Sequence, residues 1–211
     1  MNRKWFVAAL VVVSLTSVAL VRARQAQDAA VSAQRRQNRP TNVDAQIDNP
    51  LTIDEALILT PFGDYQPGEP TQRSEFVSHE KDFQSPGGYR FAVQYTRSPS
   101  DGHAVQRSNT PAQSATAFVR QYPDEAWAQY FAEFPSNIAI SPDRPKQHVI
   151  VTQFDSKVWS DQLDRTPEQT WYSLYYIWPS GSNLIRIDYA GLDPNLDILR
   201  AYLQKYPSSI P

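Results

Sequence analysis

Residues 170–189 read TWYSLYYIWPSGSNLIRIDY. The second half, Leu184–Tyr189, alternates Ile185, Ile187 and Tyr189 against Arg186 and Asp188. That period of two turns one face of a strand inward and the other toward water. The first half, Thr170–Trp178, is aromatic on both faces, with Trp171, Tyr175 and Ile177 on one side and Tyr172, Leu174, Tyr176 and Trp178 on the other. Pro179-Ser180-Gly181-Ser182-Asn183 separates the halves with residues that favour tight turns. Strands joined by so short a link run antiparallel, so this stretch sets the sheet around which the rest is placed.

Upstream, His148–Trp159, with Val149, Ile150, Val151 and Phe154, reads as another strand. Tyr89–Arg97 alternates Tyr89, Phe91, Val93 and Tyr95 with polar or small residues. It forms a hairpin with Glu75–Phe83 across Gln84–Gly88. Ser114–Phe134 carries apolar residues at helical spacing on either side of Pro123, predicting two helices or one kinked at Tyr122. Downstream, Asp193 as N-cap and Pro194 as first residue open a helix with the stripe Leu196, Leu199, Tyr202, Leu203 and Tyr206, closed by Pro207. Thr52 and Glu55 match a capping box, and Pro61–Pro70 and Ser98–Pro111 read as loops. Helices arriving in blocks rather than after every strand predict an α+β fold of about five mostly antiparallel strands with helices packed on one face. One domain is expected over residues 50–211. Its aromatic content, 11 Tyr, 9 Phe and 5 Trp, can fill a large core.

The N-terminus differs in kind. Trp5–Val21 carries no charge, follows Arg3-Lys4, and stops at Arg22 and Arg24. It approaches the ~20 apolar residues that cross a bilayer. Residues 1–24 are therefore read as a signal anchor or transmembrane helix, with a cleaved secretory signal ending near Ala19 or Ala23 as the alternative. The basic start is read as cytoplasmic, which makes the C-terminal domain extracytoplasmic. Residues 25–49, rich in Gln, Ala, Asn and Arg and without an aromatic, read as a flexible polar linker.

The composition excludes several chemistries. A net charge of -2 gives no bulk attraction for nucleic acid, and without cysteine there are no disulfides or thiolate metal sites. His79, His103 and His148 do not sit at zinc spacing. No nucleophile elbow or phosphate-cradling glycine loop occurs, so neither a cofactor nor a metal is expected. The carboxylate pairs Asp54/Glu55, Asp124/Glu125 and Asp188/Asp193 mostly have helix-capping or dipole explanations.

One feature stands above this background. If helices cover one face of the aromatic strand, the other is either covered by a loop such as Pro61–Pro70, making the strand core on both sides, or leaves Tyr172, Tyr176 and Trp178 as a candidate binding surface. The expectation is a non-catalytic, membrane-tethered module, held by Trp5–Val21, that binds a protein or envelope component. The alternative is a small extracytoplasmic hydrolase using an unrecognised carboxylate or Ser/His site, with His103 beside Asp101 as a base to test.

Overall fold

The computed structural model describes residues 26, 29–30, 33–34, 36–75, 86–97, 113–133, 147–162, 172–191 and 194–211. The expected anchor Trp5–Val21 lies outside the described residues, and among those described no helix is long and apolar enough to cross a membrane. The chain divides into two compact units, Met1–Arg39 and Pro40–Pro211. In the first, the described positions between Ala26 and Asn38 are helical and exposed.

The second unit begins at Pro40, ahead of the boundary expected at Pro50. Its first residues are tied down by side chains. Trp127 Nε1 donates to Asn42 O at 3.0 Å. Gln121 clips two backbone groups, with Nε2 donating to Asn49 O at 3.0 Å and Oε1 accepting from Leu51 N at 2.9 Å.

The unit is a mostly antiparallel sheet with a few helices. In chain order it runs α1 (Ile53–Ala56), β1 (Tyr65–Pro67), β2 (Thr71–Glu75), β3 (Gly88–Arg97), β4 (Ser114–Gln121), α2 (Glu125–Glu133), β5 (Gln147–Gln153), β6 (Ser156–Gln162), β7 (Tyr172–Ser180), β8 (Asn183–Gly191) and α3 (Leu196–Lys205). The eight strands form one sheet in the order β1-β3-β4-β8-β7-β6-β5, with β2 also on β3. Every pairing between them is antiparallel. The 170–189 hairpin is β7–β8, with Gly181 at a φ of +54° in its two-residue link.

Three expectations are corrected. Ser114–Gln121 is not helical but a central strand: Ala115, Ala117, Val119 and Gln121 are buried in alternation with half-buried neighbours. Pairing between β3 and β8 overrides the helical propensity of its Ala, Arg and Gln residues. His148–Trp159 is not one strand but two, turned at Phe154-Asp155 with both residues at positive φ. The expected strand Glu75–Phe83 lies outside the described residues beyond Glu75; with β1 and β2 in its place, the sheet has eight strands rather than five among the described residues.

A fourth correction concerns layering. The helices do not share a face. Tyr202, Leu199, Ile198 and Leu203 of α3, with Ala56 of α1, lie in one core with Phe91, Val93, Tyr95, Ala117, Val119, Ile185, Ile187, Tyr176 and Trp178. Trp127, Ala128, Tyr130 and Phe131 of α2 form a separate core with Tyr175, Ile177 and Leu184 on the opposite face. That is why β7 is apolar on both sides: each of its faces meets a different helix.

Helix caps follow local chemistry. The capping box Thr52–Glu55 is formed, and its hydrogen bonds hold the Glu55 carboxyl below the usual range. The carbonyl end of this four-residue helix is secured from α3, where Lys205 Nζ donates to Leu57 O at 2.9 Å and Tyr206 OH to Ala56 O at 3.0 Å. The N-cap of α3 is Asn195, whose side chain accepts from Asp197 N at 3.0 Å, rather than Asp193, which lies outside the described residues.

Candidate functional site

Of the two readings of β7, the candidate aromatic surface is not open. Trp178 is fully buried and donates its indole N–H to Tyr206 O at 2.8 Å. Tyr176 is buried edge-on to the Tyr189 ring, centroids 6.3 Å apart. Tyr172 lies in β7, but its side chain is outside the described residues. The face carrying Tyr176 and Trp178 is therefore core beneath α3 and not a surface. Tyr175, on the other face, is buried among α2 residues.

What remains half-buried or exposed is the part of the α2 face that lies over β2, β3, β4 and β8. The hydrogen-bond register arranges it in rows across the strands. One row runs Arg73–Arg90–Arg120–Leu184. The next runs Thr71–Ala92–Phe118–Arg186–Ile177. A third runs Gln94–Thr116–Asp188–Tyr175. Three arginines thus stand directly opposite one another on adjacent strands, and Arg186 sits in the neighbouring row.

Aromatic rings support two of these cations. The Arg90 guanidinium lies 4.6 Å from the Phe118 ring centroid, and that of Arg186 lies 4.6 Å from the Tyr175 ring. A guanidinium over a ring gains electrostatic attraction and a fixed plane. Arg186 is also held by Asp188 in a two-point contact, Nε to Oδ1 at 2.5 Å and Nη2 to Oδ2 at 2.8 Å. Nothing in the one-dimensional pattern marked this cluster, because Arg73, Arg90, Arg120 and Arg186 are far apart in sequence. Only the register brings them together.

The candidate acids have structural partners. Asp124 Oδ1 accepts from Trp127 N at 3.0 Å at the start of α2, and Glu125 Oε1 accepts from Gln129 Nε2 at 3.0 Å. Asp188 is engaged by Arg186, and Asp54 and Glu55 lie in the first turn of α1. Asp101, His79, His103 and Asp193 lie outside the described residues, as does the side chain of His148. Among the described residues no group of His, Asp or Glu is placed to hold a metal ion.

No protein-family model matches the chain. No curated protein matches it either. Among solved structures the chain is similar to the extracellular domain of PknH from Mycobacterium tuberculosis, at 10% identity and a TM-score of 0.43, over 76% of this chain and 97% of that one. A likeness at that level transfers neither a site nor an activity.

Proposed function

We propose that the protein is a non-catalytic, membrane-tethered binding module. Trp5–Val21 anchors it, the domain faces the extracytoplasmic side, and the arginine-bearing sheet face receives an anionic envelope component. One observation carries the ligand assignment: Arg73, Arg90 and Arg120 are consecutive cross-strand neighbours. Like charges directly opposite one another weaken strand pairing. A chain of net charge -2 has no general surplus of cations to produce such a row by default. Adjacent strands are ~4.8 Å apart, so the row offers guanidinium groups at a short repeat across the sheet. A guanidinium group meets a phosphate or carboxylate with two parallel hydrogen bonds. A linear polyanion lying across the strands fits that repeat. The structural partners of Glu55, Asp124 and Asp188 favour this reading over a hydrolase.

Detergent-solubilised full-length chain, titrated with long-chain polyphosphate at low salt, tests it. Binding that weakens steeply with salt and falls at least tenfold in the Arg90→Gln/Arg120→Gln variant, with a melting temperature that does not fall, is the expected result. No binding, or equal binding by the variant, overturns the assignment.

A further inference from the structure

We propose that β5 is a dimerisation edge, through which two copies of this chain pair antiparallel about a two-fold axis at Ile150 and join their sheets into one. The strand ends the sheet, with β6 on one side and no strand on the other among the described residues. A strand edge is a row of backbone donors and acceptors waiting for a partner. Natural sheets guard such edges with short strands, charges, prolines or bulges.

The opposite margin of this sheet is guarded in that way. It is split between β1, of three residues with Pro67, and β2, of five residues with Arg73 and Glu75. β5 has none of these devices. It spans seven residues, Gln-His-Val-Ile-Val-Thr-Gln, with no Lys, Arg, Asp, Glu or Pro. It pairs with β6 one-to-one from Gln147↔Gln162 to Gln153↔Ser156, so no bulge bends it away.

Side-chain exposure points to the same strand. The large hydrophobic residues exposed among the described residues are Val149 at 43%, Ile150 at 47% and Phe154 at 36%, all on the β5–β6 hairpin. Val149 lies opposite the buried Ser160, and Ile150 lies opposite Trp159 on the other face. A helix or loop laid on one face would cover one of the two. A strand added at the edge lies beside both.

The sequence says which strand. Around Ile150 the segment is nearly palindromic: Val149 and Val151 flank it, then His148 and Thr152, then Gln147 and Gln153. An antiparallel pairing of β5 with itself sets Ile150 against Ile150 of the partner subunit and Val149 against Val151 of the partner subunit. It also sets Gln147 against Gln153 of the partner subunit. Branched apolar side chains face branched apolar side chains, the pairs that stabilise sheets. No charge meets a like charge, and the contact is isologous and closed at two copies. A foreign peptide would place no such symmetry requirement on the strand.

The chain has no cysteine, so a single substitution supplies the sole thiol. Full-length chain in detergent carrying Ile150→Cys is expected to give a reducible covalent dimer on mild oxidation. Thr152→Cys alone is not, because the two copies of position 152 stand ~13 Å apart in this register, beyond the ~7 Å limit between disulfide-linked Cα atoms. Mixing Thr152→Cys with His148→Cys chains restores the covalent dimer. Ile150→Lys is expected to shift sedimentation from dimer to monomer with the folded circular-dichroism spectrum retained and a melting temperature that no longer depends on protein concentration. A monomeric parent chain, a dimer indifferent to Ile150→Lys, or equal cross-linking through Thr152→Cys alone overturns the proposal.

Discussion

The hydroxyl oxygens of Tyr95 and Tyr202 lie 3.0 Å apart in the core between β3 and α3. Tyr95 donates its proton to Ile58 O, so the hydrogen bond between the two rings is donated by Tyr202. Tyr202 in turn accepts from Ile58 N at 3.1 Å. The three residues close a ring of hydrogen bonds that fixes the chain after α1 to the sheet and to the final helix. Tyr202→Phe removes one donor and one acceptor, leaving Ile58 N–H without its partner. A loss of about 1–3 kcal/mol is expected, measured by denaturant unfolding. Because the same ring is broken, adding Tyr95→Phe should cost less than the two single losses combined.

The same burial sets a pH limit. Loss of water around Tyr95, Tyr189, Tyr202 and Tyr206 pushes each phenol above its ordinary value of 10.0. In the unfolded chain these groups lose their protons near pH 10. In the folded chain they keep them. Above that pH the unfolded state binds fewer protons, so stability falls as pH rises. The contribution is fully present below about pH 10 and is lost progressively above it. Melting temperatures across pH 8–11 should be level at first and then drop. Replacing Tyr95 and Tyr202 with Phe should flatten the drop.

The β7–β8 hairpin was legible because its turn residues and its alternation agree with its tertiary place. β4 was not. Ala115, Phe118, Val119 and Tyr122 also satisfy a helical spacing, and only the pairing of Ala117 with Val93 and Ile187 selects the strand. The β5–β6 turn was hidden for a different reason. Phe154-Asp155 adopts φ values of 48° and 61°, a conformation usually signalled by Asn or Gly. The Phe154 ring lies 4.4 Å from the Arg200 guanidinium of α3, a contact between elements distant in sequence. The arginine row was invisible for the same reason: it is a property of strand order.

Trp178 and Leu199 test whether the β7 face under α3 is core. Both are fully buried, from opposite sides of one layer. Trp178→Ala should cost about 3–5 kcal/mol and Leu199→Ala about 2–5 kcal/mol, read from chemical denaturation. A loss below about 0.5 kcal/mol, the scale of ordinary surface substitutions, would mean the helix does not pack there.

Membrane attachment has a direct measurement. If Trp5–Val21 is an anchor, intact-mass analysis of protein extracted from membranes should return the whole chain less at most Met1. A mature N-terminus at Leu20 or Arg24 would identify the segment as a cleaved signal instead.

Two glycines separate close approach from backbone handedness. Gly88 opens β3 where a Cβ would stand 2.7 Å from Gln121 O, a backbone atom that cannot swing aside. The β4 end carrying Gln121 is itself pinned, because the Gln121 side chain holds Asn49 and Leu51. Gly88→Ala must therefore push the two strands apart, at about 1–3 kcal/mol, the usual cost of overpacking. It should also loosen the segment that Gln121 clips. Gly181 has nothing within 4 Å of its would-be Cβ but sits at a φ of +54°. Gly181→Ala should cost about 1–2 kcal/mol from the left-handed backbone alone, with no change elsewhere. Hydrogen exchange distinguishes the two: faster exchange at Leu51 N–H is expected in Gly88→Ala and not in Gly181→Ala.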